Sequence, residues 1–208
     1  MTRLLHISSS PRGTASESLG LAATFIDAYR DANPDVEVEH WDLWDETMPA
    51  FGAEAAHAKM ARFAGAPFTR AQSQVWESVE ATFGRFDAAD RYLFSVPMWN
   101  HTIPYILKQF IDVVSQPGLV FSFDPATGYT GLLDGKKAAV LYSGAVWAPG
   151  RPPAFGEDFQ QPYFDSWLRW AGIDDIVSVR LQPNVVTTDP DLVCVTAHQE
   201  ARQAAAAF

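Results

Sequence analysis

Three short apolar stretches constrain this chain more than anything else in it: residues 4–7 (L-L-H-I), 89–97 (A-D-R-Y-L-F-S-V-P) and 138–142 (A-A-V-L-Y). Each reads as a strand buried on both faces. Such a strand needs cover on two sides, and the helical material between the runs provides it. Residues 18–30 place Leu19, Ala22, Ala23 and Ile26 on one face at helical spacing before Asn33-Pro34 closes the helix. Further helices are expected over 69–86, over 104–114 with proline in its first turn, over 159–171 ending at the glycine cap Gly172, and over 191–205. Residues 36–41 and 175–181 alternate apolar and polar positions, the period of half-exposed strands nearer the sheet edges. Five strands alternating with five helices predict an α/β three-layer sandwich, a five-stranded parallel sheet with helices on both faces. No repeat or linker breaks the rhythm, so one domain is expected over 1–208. Residues 48–67 exceed a normal connection and are expected to form a lid or a dimer arm.

Composition closes off several classes. A formal charge of −10 with pI ≈ 4.8, and no basic cluster to reverse it, argues against a nucleic-acid partner. No run approaches the roughly 20 apolar residues of a membrane span, and the first residues offer no secretory apolar core. The single cysteine, Cys194, excludes an intramolecular disulfide and fits a reducing compartment, so a cytoplasmic location is expected. His6, His40 and His57 are isolated, without zinc-ligand spacing, and no metal site is expected. Cys194 and His198 share a helix face, where a buried structural thiol is expected.

In an open parallel sheet, ligands settle at the carboxyl ends of strands. After the first strand comes Ser8-Ser9-Ser10-Pro11-Arg12-Gly13-Thr14-Ala15-Ser16-Glu17-Ser18, five serines and a threonine in eleven positions leading into a helix. Hydroxyls and free N–H groups at a helix N-terminus suit a phosphate. The plainer alternative is that Ser16 only caps the helix while Ser8–Ser10 make a turn. The loop lacks G-x-G-x-x-G and G-x-x-x-x-G-K-[ST], which favours a monophosphate over a dinucleotide or a nucleoside triphosphate. Gly131-Leu132-Leu133-Asp134-Gly135-Lys136-Lys137 precedes a strand and is expected to be a turn. After the third strand, Met98, Trp99, Asn100 and His101 offer a thioether, an aromatic ring, an amide and an imidazole between two prolines, a mixture suited to a planar heterocycle. After the fourth, Ser143, Gly144, Ala145 and Val146 read equally as a third pocket wall and as a surface turn.

Three motifs together resemble those of the FMN-dependent NAD(P)H azoreductases and quinone reductases of flavodoxin-like fold. The segment Ser10-Pro11-Arg12-Gly13 with Ser16-Glu17-Ser18 resembles the family's S-P-R-G-x-x-S-x-S, and Pro97-Met98-Trp99-Asn100 resembles its P-M-Y-N. Leu107-Lys108 with Asp112 and Gly118-Leu119-Val120-Phe121 resemble its L-K-x-x-x-D and G-x-x-F. The resemblance implies that Ser10, Ser16, Glu17 and Ser18 hold the FMN phosphate and ribityl end, while Met98, Trp99, Asn100 and His101 border the isoalloxazine. It implies transfer of two electrons from NADH or NADPH to a quinone or azo compound by a ping-pong hydride mechanism, in a homodimer. The flavin carries the chemistry, so no catalytic side chain is expected. Two departures stand out: the family often has phenylalanine at His101, and S-R-G-G at Ser143, Gly144, Ala145 and Val146. The first adds a possible proton donor beside the flavin and the second removes a cation. A flavodoxin-type electron carrier, without its own NAD(P)H oxidation, and a flavin-free scaffold are the alternatives.

Overall fold

The computed structural model describes residues 2–45 and 48–208, so Met1, Glu46 and Thr47 lie outside the described part of the expected 1–208 domain. Strand β1 (Arg3–Ser8) pairs in parallel with β2 (Glu37–Asp42) on one side and β3 (Arg91–Pro97) on the other. The hairpin strands β4 (Phe121–Asp124) and β5 (Gly128–Gly131) form a separate antiparallel pair. Strand β6 (Lys137–Ser143) pairs with β3, and β7 (Asp175–Leu181) with β6, giving a five-stranded parallel sheet ordered β2-β1-β3-β6-β7. The two strands with alternating sequence are the sheet's edges, and the three continuous apolar runs are its centre.

Helices fill both faces. Helix α1 (Glu17–Ala32) starts at the Ser16 cap, and α6 (Pro190–Ala207) lies beside it; they cover Leu4, Leu93, Leu141 and Leu181. The opposite face carries α3 (Arg70–Asp87), α4 (Tyr105–Val114) and α5 (Gln161–Trp170) over Ile7, Phe94, Val140 and Tyr142. Helix α3 opens with a full capping box, Thr69 accepting from the Gln72 N–H and Gln72 accepting from the Thr69 N–H. Gly172 follows α5 with φ 101°, as expected for a glycine cap.

Two elements depart from the sequence expectation. Residues 48–67 contain α2 (Ala53–Phe63), a sixth α-helix, which packs against α3. The β4–β5 hairpin was not foreseen either. Its exit is locked by a close backbone crossing: a Cβ on Gly131 would lie 2.3 Å from the Gly172 nitrogen. The segment after Gly131 is a turn into β6, as expected. Cys194 is half-buried, not buried, because α6 leaves that position at the margin of its packed face.

Candidate cofactor-binding site

The chain leaves β1 for the edge strand β2 and then returns across to β3, so the strand order reverses between β1 and β3. A crevice forms at such a switch point. The register places Ser8 beside Ser95, and Pro97 beside Ser143, so the three sequence-predicted loops leave neighbouring strand ends. Backbone bonds tie them together: Ser9 N–H donates to Ser95 O at 3.2 Å, Met98 N–H to Ser143 O at 2.7 Å, and Gly144 N–H to Leu181 O at 3.1 Å.

In the serine loop, Ser10, Ser16 and Ser18 are buried, whereas Glu17 is exposed. The Ser16 Oγ accepts from the Leu19 N–H at 3.4 Å and sits 3.2 Å from the Ser18 Oγ. Ser16 therefore does cap α1, and the capping role coexists with a cluster of hydroxyls. The N–H groups of Glu17 and Ser18 belong to the first turn of a 16-residue helix and have no intrahelical carbonyl to bond. This donor set, hydroxyls and amides at the positive end of a helix dipole, fits a phosphate dianion. The Glu17 carboxylate does not; only its backbone N–H suits an anion.

The loop after β3 is a tight turn in which Trp99 and Thr102 exchange backbone bonds, at 2.8 and 2.9 Å. Asn100 and His101 at its tip have φ of 46° and 73°. Two successive left-handed residues are the φ signature of a type I′ turn, one that asparagine and histidine tolerate better than most. Residues 157–159 hold the strained tip: Phe159 N–H donates to His101 O at 2.9 Å, and Glu157 N–H donates to His101 Nδ1 at 3.2 Å. With Nδ1 accepting, the neutral imidazole carries its proton on Nε2. His101 can therefore offer a donor to whatever occupies the adjoining cavity.

Cavities flank this turn on two sides, with Asn100 lining both. One, of about 370 Å³, is bordered by Met98, His101, Ala145, Val146, Trp147 and Phe155. The other, of about 420 Å³, is bordered by Trp99, Ile103, Tyr105, Lys108 and Tyr163. The serine loop lines neither directly. Trp44, which the sequence reading missed, joins it to the turn: its Nε1 donates to Ser9 O at 2.9 Å, and its ring lies 5.7 Å from Trp99 and 5.2 Å from Tyr105. No local signal marks Trp44, since its role comes from the tertiary approach of three loops.

Ser143 and Gly144 are buried at the end of β6, while Ala145 and Val146 are exposed and reach a cavity wall. Gly144 is needed for close packing, because a Cβ there would lie 2.9 Å from the Gln182 Nε2 and 3.4 Å from the Met98 Cβ. Beneath it runs a polar chain: Arg180 bonds Asp158 and Gln182, Gln182 donates to Gln160, and Gln160 donates to Val96 O, each at 2.8 Å. Nearby, burial and then the adjacent Asp165 carboxylate push the Tyr142 phenol well above its ordinary range, so it remains a donor, at 2.8 Å from Asp165. This network holds the ends of β3 and β7 and the start of α5 rigidly below the crevice.

Among the described residues, no cluster of three or more His, Cys, Asp or Glu could hold a metal, and no helix is long and apolar enough to cross a membrane. The family model for the flavodoxin-like fold matches residues 2–205. An FMN-dependent NADH:quinone oxidoreductase of Ruegeria pomeroyi is 44% identical over 190 residues, covering 91% of this chain and 93% of the relative. One from Burkholderia lata is 38% identical over the full length of both chains. Among solved structures, an azoreductase of Bacillus anthracis superposes with a TM-score of 0.91 at 25% identity, each chain wholly covered. An FMN-dependent NADH-azoreductase from the same species, in complex with FMN, gives 0.88 at 25% identity, covering 100% of this chain and 99% of the other. With the switch-point crevice, the hydroxyl-lined helix start and this similarity along nearly the whole chain, the protein belongs to the family of FMN-dependent NADH:quinone oxidoreductases of flavodoxin-like fold.

Proposed function

We propose that the protein binds FMN and uses it to move two electrons from NADH or NADPH to quinones and to azo compounds. The observation that carries this reading is that Trp44 ties the serine loop before α1 to the Trp99 turn, in a chain 44% identical to an FMN-dependent NADH:quinone oxidoreductase. Ser10, Ser16, Ser18 and the first-turn amides of α1 hold the phosphate, with the exposed Arg12 guanidinium close by in sequence to offset the chain's negative charge. Met98, Trp99, Asn100 and His101 border the ring system, and Ser143, Gly144, Ala145 and Val146 close its far side. When bound, FMN supplies hydride chemistry in two halves, the oxidised nicotinamide leaving before the acceptor is reduced.

The chain's own residues bind, orient and exclude water. The flat walls of Trp99, Tyr105 and Tyr163 suit an aromatic acceptor in one cavity, and the His101 Nε2–H can bond a carbonyl oxygen or azo nitrogen of a group in the other. The enzyme is further proposed to be a cytoplasmic homodimer. Exposed Met60 and Phe63 on α2, with Phe123 and Tyr129 on the hairpin, give a second copy an apolar face to cover.

The test is the visible spectrum of the purified protein followed by anaerobic titration with NADH and with NADPH. Bleaching of a flavin band by either, and its return on adding benzoquinone, is the expected result. A yellow protein that neither nucleotide bleaches is the electron carrier instead, and a colourless one that takes up no added FMN is a flavin-free scaffold.

A further inference from the structure

Between the ends of β1 and β3 and the start of α1 lies a chain of polar groups that the site as described does not use. The His40 and His6 Nδ1 atoms are 3.0 Å apart, the His6 Nε2 is 2.7 Å from the Ser95 Oγ, and that hydroxyl donates to Ser18 O at 3.3 Å. His6, Ser95 and Ser18 are buried, while His40 on the edge strand is exposed.

One arrangement of protons serves every contact: the Ser95 hydroxyl proton on the Ser18 carbonyl, the His6 Nε2–H on the Ser95 Oγ, and the His40 Nδ1–H on the His6 Nδ1. It requires a neutral His6, and burial first, with the neighbouring His40 second, lowers the His6 pKa to about 3.

Ser95 works in two directions. Its carbonyl receives both the N–H and the Oγ–H of Ser9, at 3.2 and 2.8 Å, so its backbone fixes the serine loop while its hydroxyl fixes the first turn of α1. Without His6 the hydroxyl could rotate away from Ser18, and loop and helix would lose their common anchor.

We propose that His6 is a positioning residue for the phosphate end of the cofactor site, holding the Ser95 hydroxyl on the Ser18 carbonyl so that loop and helix start present their donors in one frame. This rests on the FMN reading above. His6 does not touch the ligand; it acts through Ser95 on the affinity for the phosphate alone.

Riboflavin, which has the same ring and ribityl chain but no phosphate, separates this role from general support of the fold. Both flavins are titrated by fluorescence quenching into the flavin-stripped full-length protein. His6→Leu should weaken FMN binding about tenfold, the loss of one or two net hydrogen bonds, and leave riboflavin within about twofold. His6→Gln, whose amide N–H reaches about where Nε2 stood, should recover most of the FMN affinity. Equal losses for both flavins, or no loss for FMN, would overturn the proposal. Should His6→Leu not fold, Ser95→Ala is read by the same two titrations. Wild-type protein with no FMN affinity overturns the FMN reading itself, an outcome separate from a wild type that binds FMN and a variant that binds it unchanged.

Discussion

At the scale of single residues, the site divides into groups that meet the ligand and groups that hold those groups. Ser16 caps α1, and its hydroxyl lies 3.2 Å from that of Ser18, so both are proposed to meet the phosphate. Replacing both with alanine should weaken FMN binding by about 1–3 kcal/mol, the range for hydrogen bonds to a charged group; unchanged affinity by fluorescence titration refutes the phosphate placement. Trp99 is half-buried on a cavity wall, not in the core. Trp99→Ala should therefore lower kcat/KM for quinones at least about tenfold while moving the melting temperature little, and the opposite pattern would make Trp99 a packing residue. His6 contributes to the acid limb of stability. Its folded pKa of about 3 lies below its ordinary 6.5, so between these values the unfolded chain binds the extra proton and stability falls as pH falls. Above about pH 6.5 this group contributes no slope. Denaturant midpoints of wild type and His6→Gln across pH 4–7 should show the shallower acid dependence in the variant. None of the His6 chain was legible in the sequence. His6, His40 and Ser95 are far apart there, and only the pairing of β1 with both β2 and β3 brings them together.

At the scale of elements, legibility followed burial. The three central strands announced themselves because both faces are covered, and the edge strands because one face is not. The hairpin escaped because each strand has only four residues, too few for alternation to stand out. Helix α2 escaped for a different reason: it buries only Ala55 and Ala58, so its sequence shows no apolar stripe. Of the site, the three loops were legible from their position after strands, whereas Trp44 and residues 157–159 enter only through tertiary contacts. The hairpin's hold on the sheet depends on Gly131. A Cβ there would meet backbone at 2.3, 2.4 and 2.6 Å, atoms that cannot rotate away as a side chain can. Gly131→Ala should cost about 2–4 kcal/mol, at or above the usual range for overpacking, and a chemical-denaturation midpoint equal to wild type would show that the hairpin docks more loosely.

At the scale of the whole molecule, the sheet and its two helical layers bury their apolar faces, yet one side stays open. Phe63 on α2 and Tyr129 on the hairpin are 51% and 59% exposed, and both line one cavity of about 340 Å³, where Phe51, Phe121 and Trp170 are joined by Lys59, Asp112 and Ser115. Phe123, 51% exposed, packs its ring at a tilt 4.9 Å from that of Tyr129 and extends the same surface. An apolar patch spanning two elements that lie outside the central sheet is costly to leave in water. A net charge of −10 would keep separate copies apart, and in the proposed homodimer burial of the patch outweighs that repulsion. Sedimentation equilibrium at micromolar concentration should therefore give twice the 22.9 kDa chain mass. The double substitution Phe63→Glu and Tyr129→Glu adds two charges per copy at the centre of the patch and should weaken self-association at least about thirtyfold, with far-ultraviolet circular dichroism unchanged. Raising salt should strengthen the wild-type dimer if charge repulsion opposes it. A wild-type protein that sediments as a monomer at all salt concentrations would leave the patch free for some other occupant and remove the second subunit from the proposed enzyme.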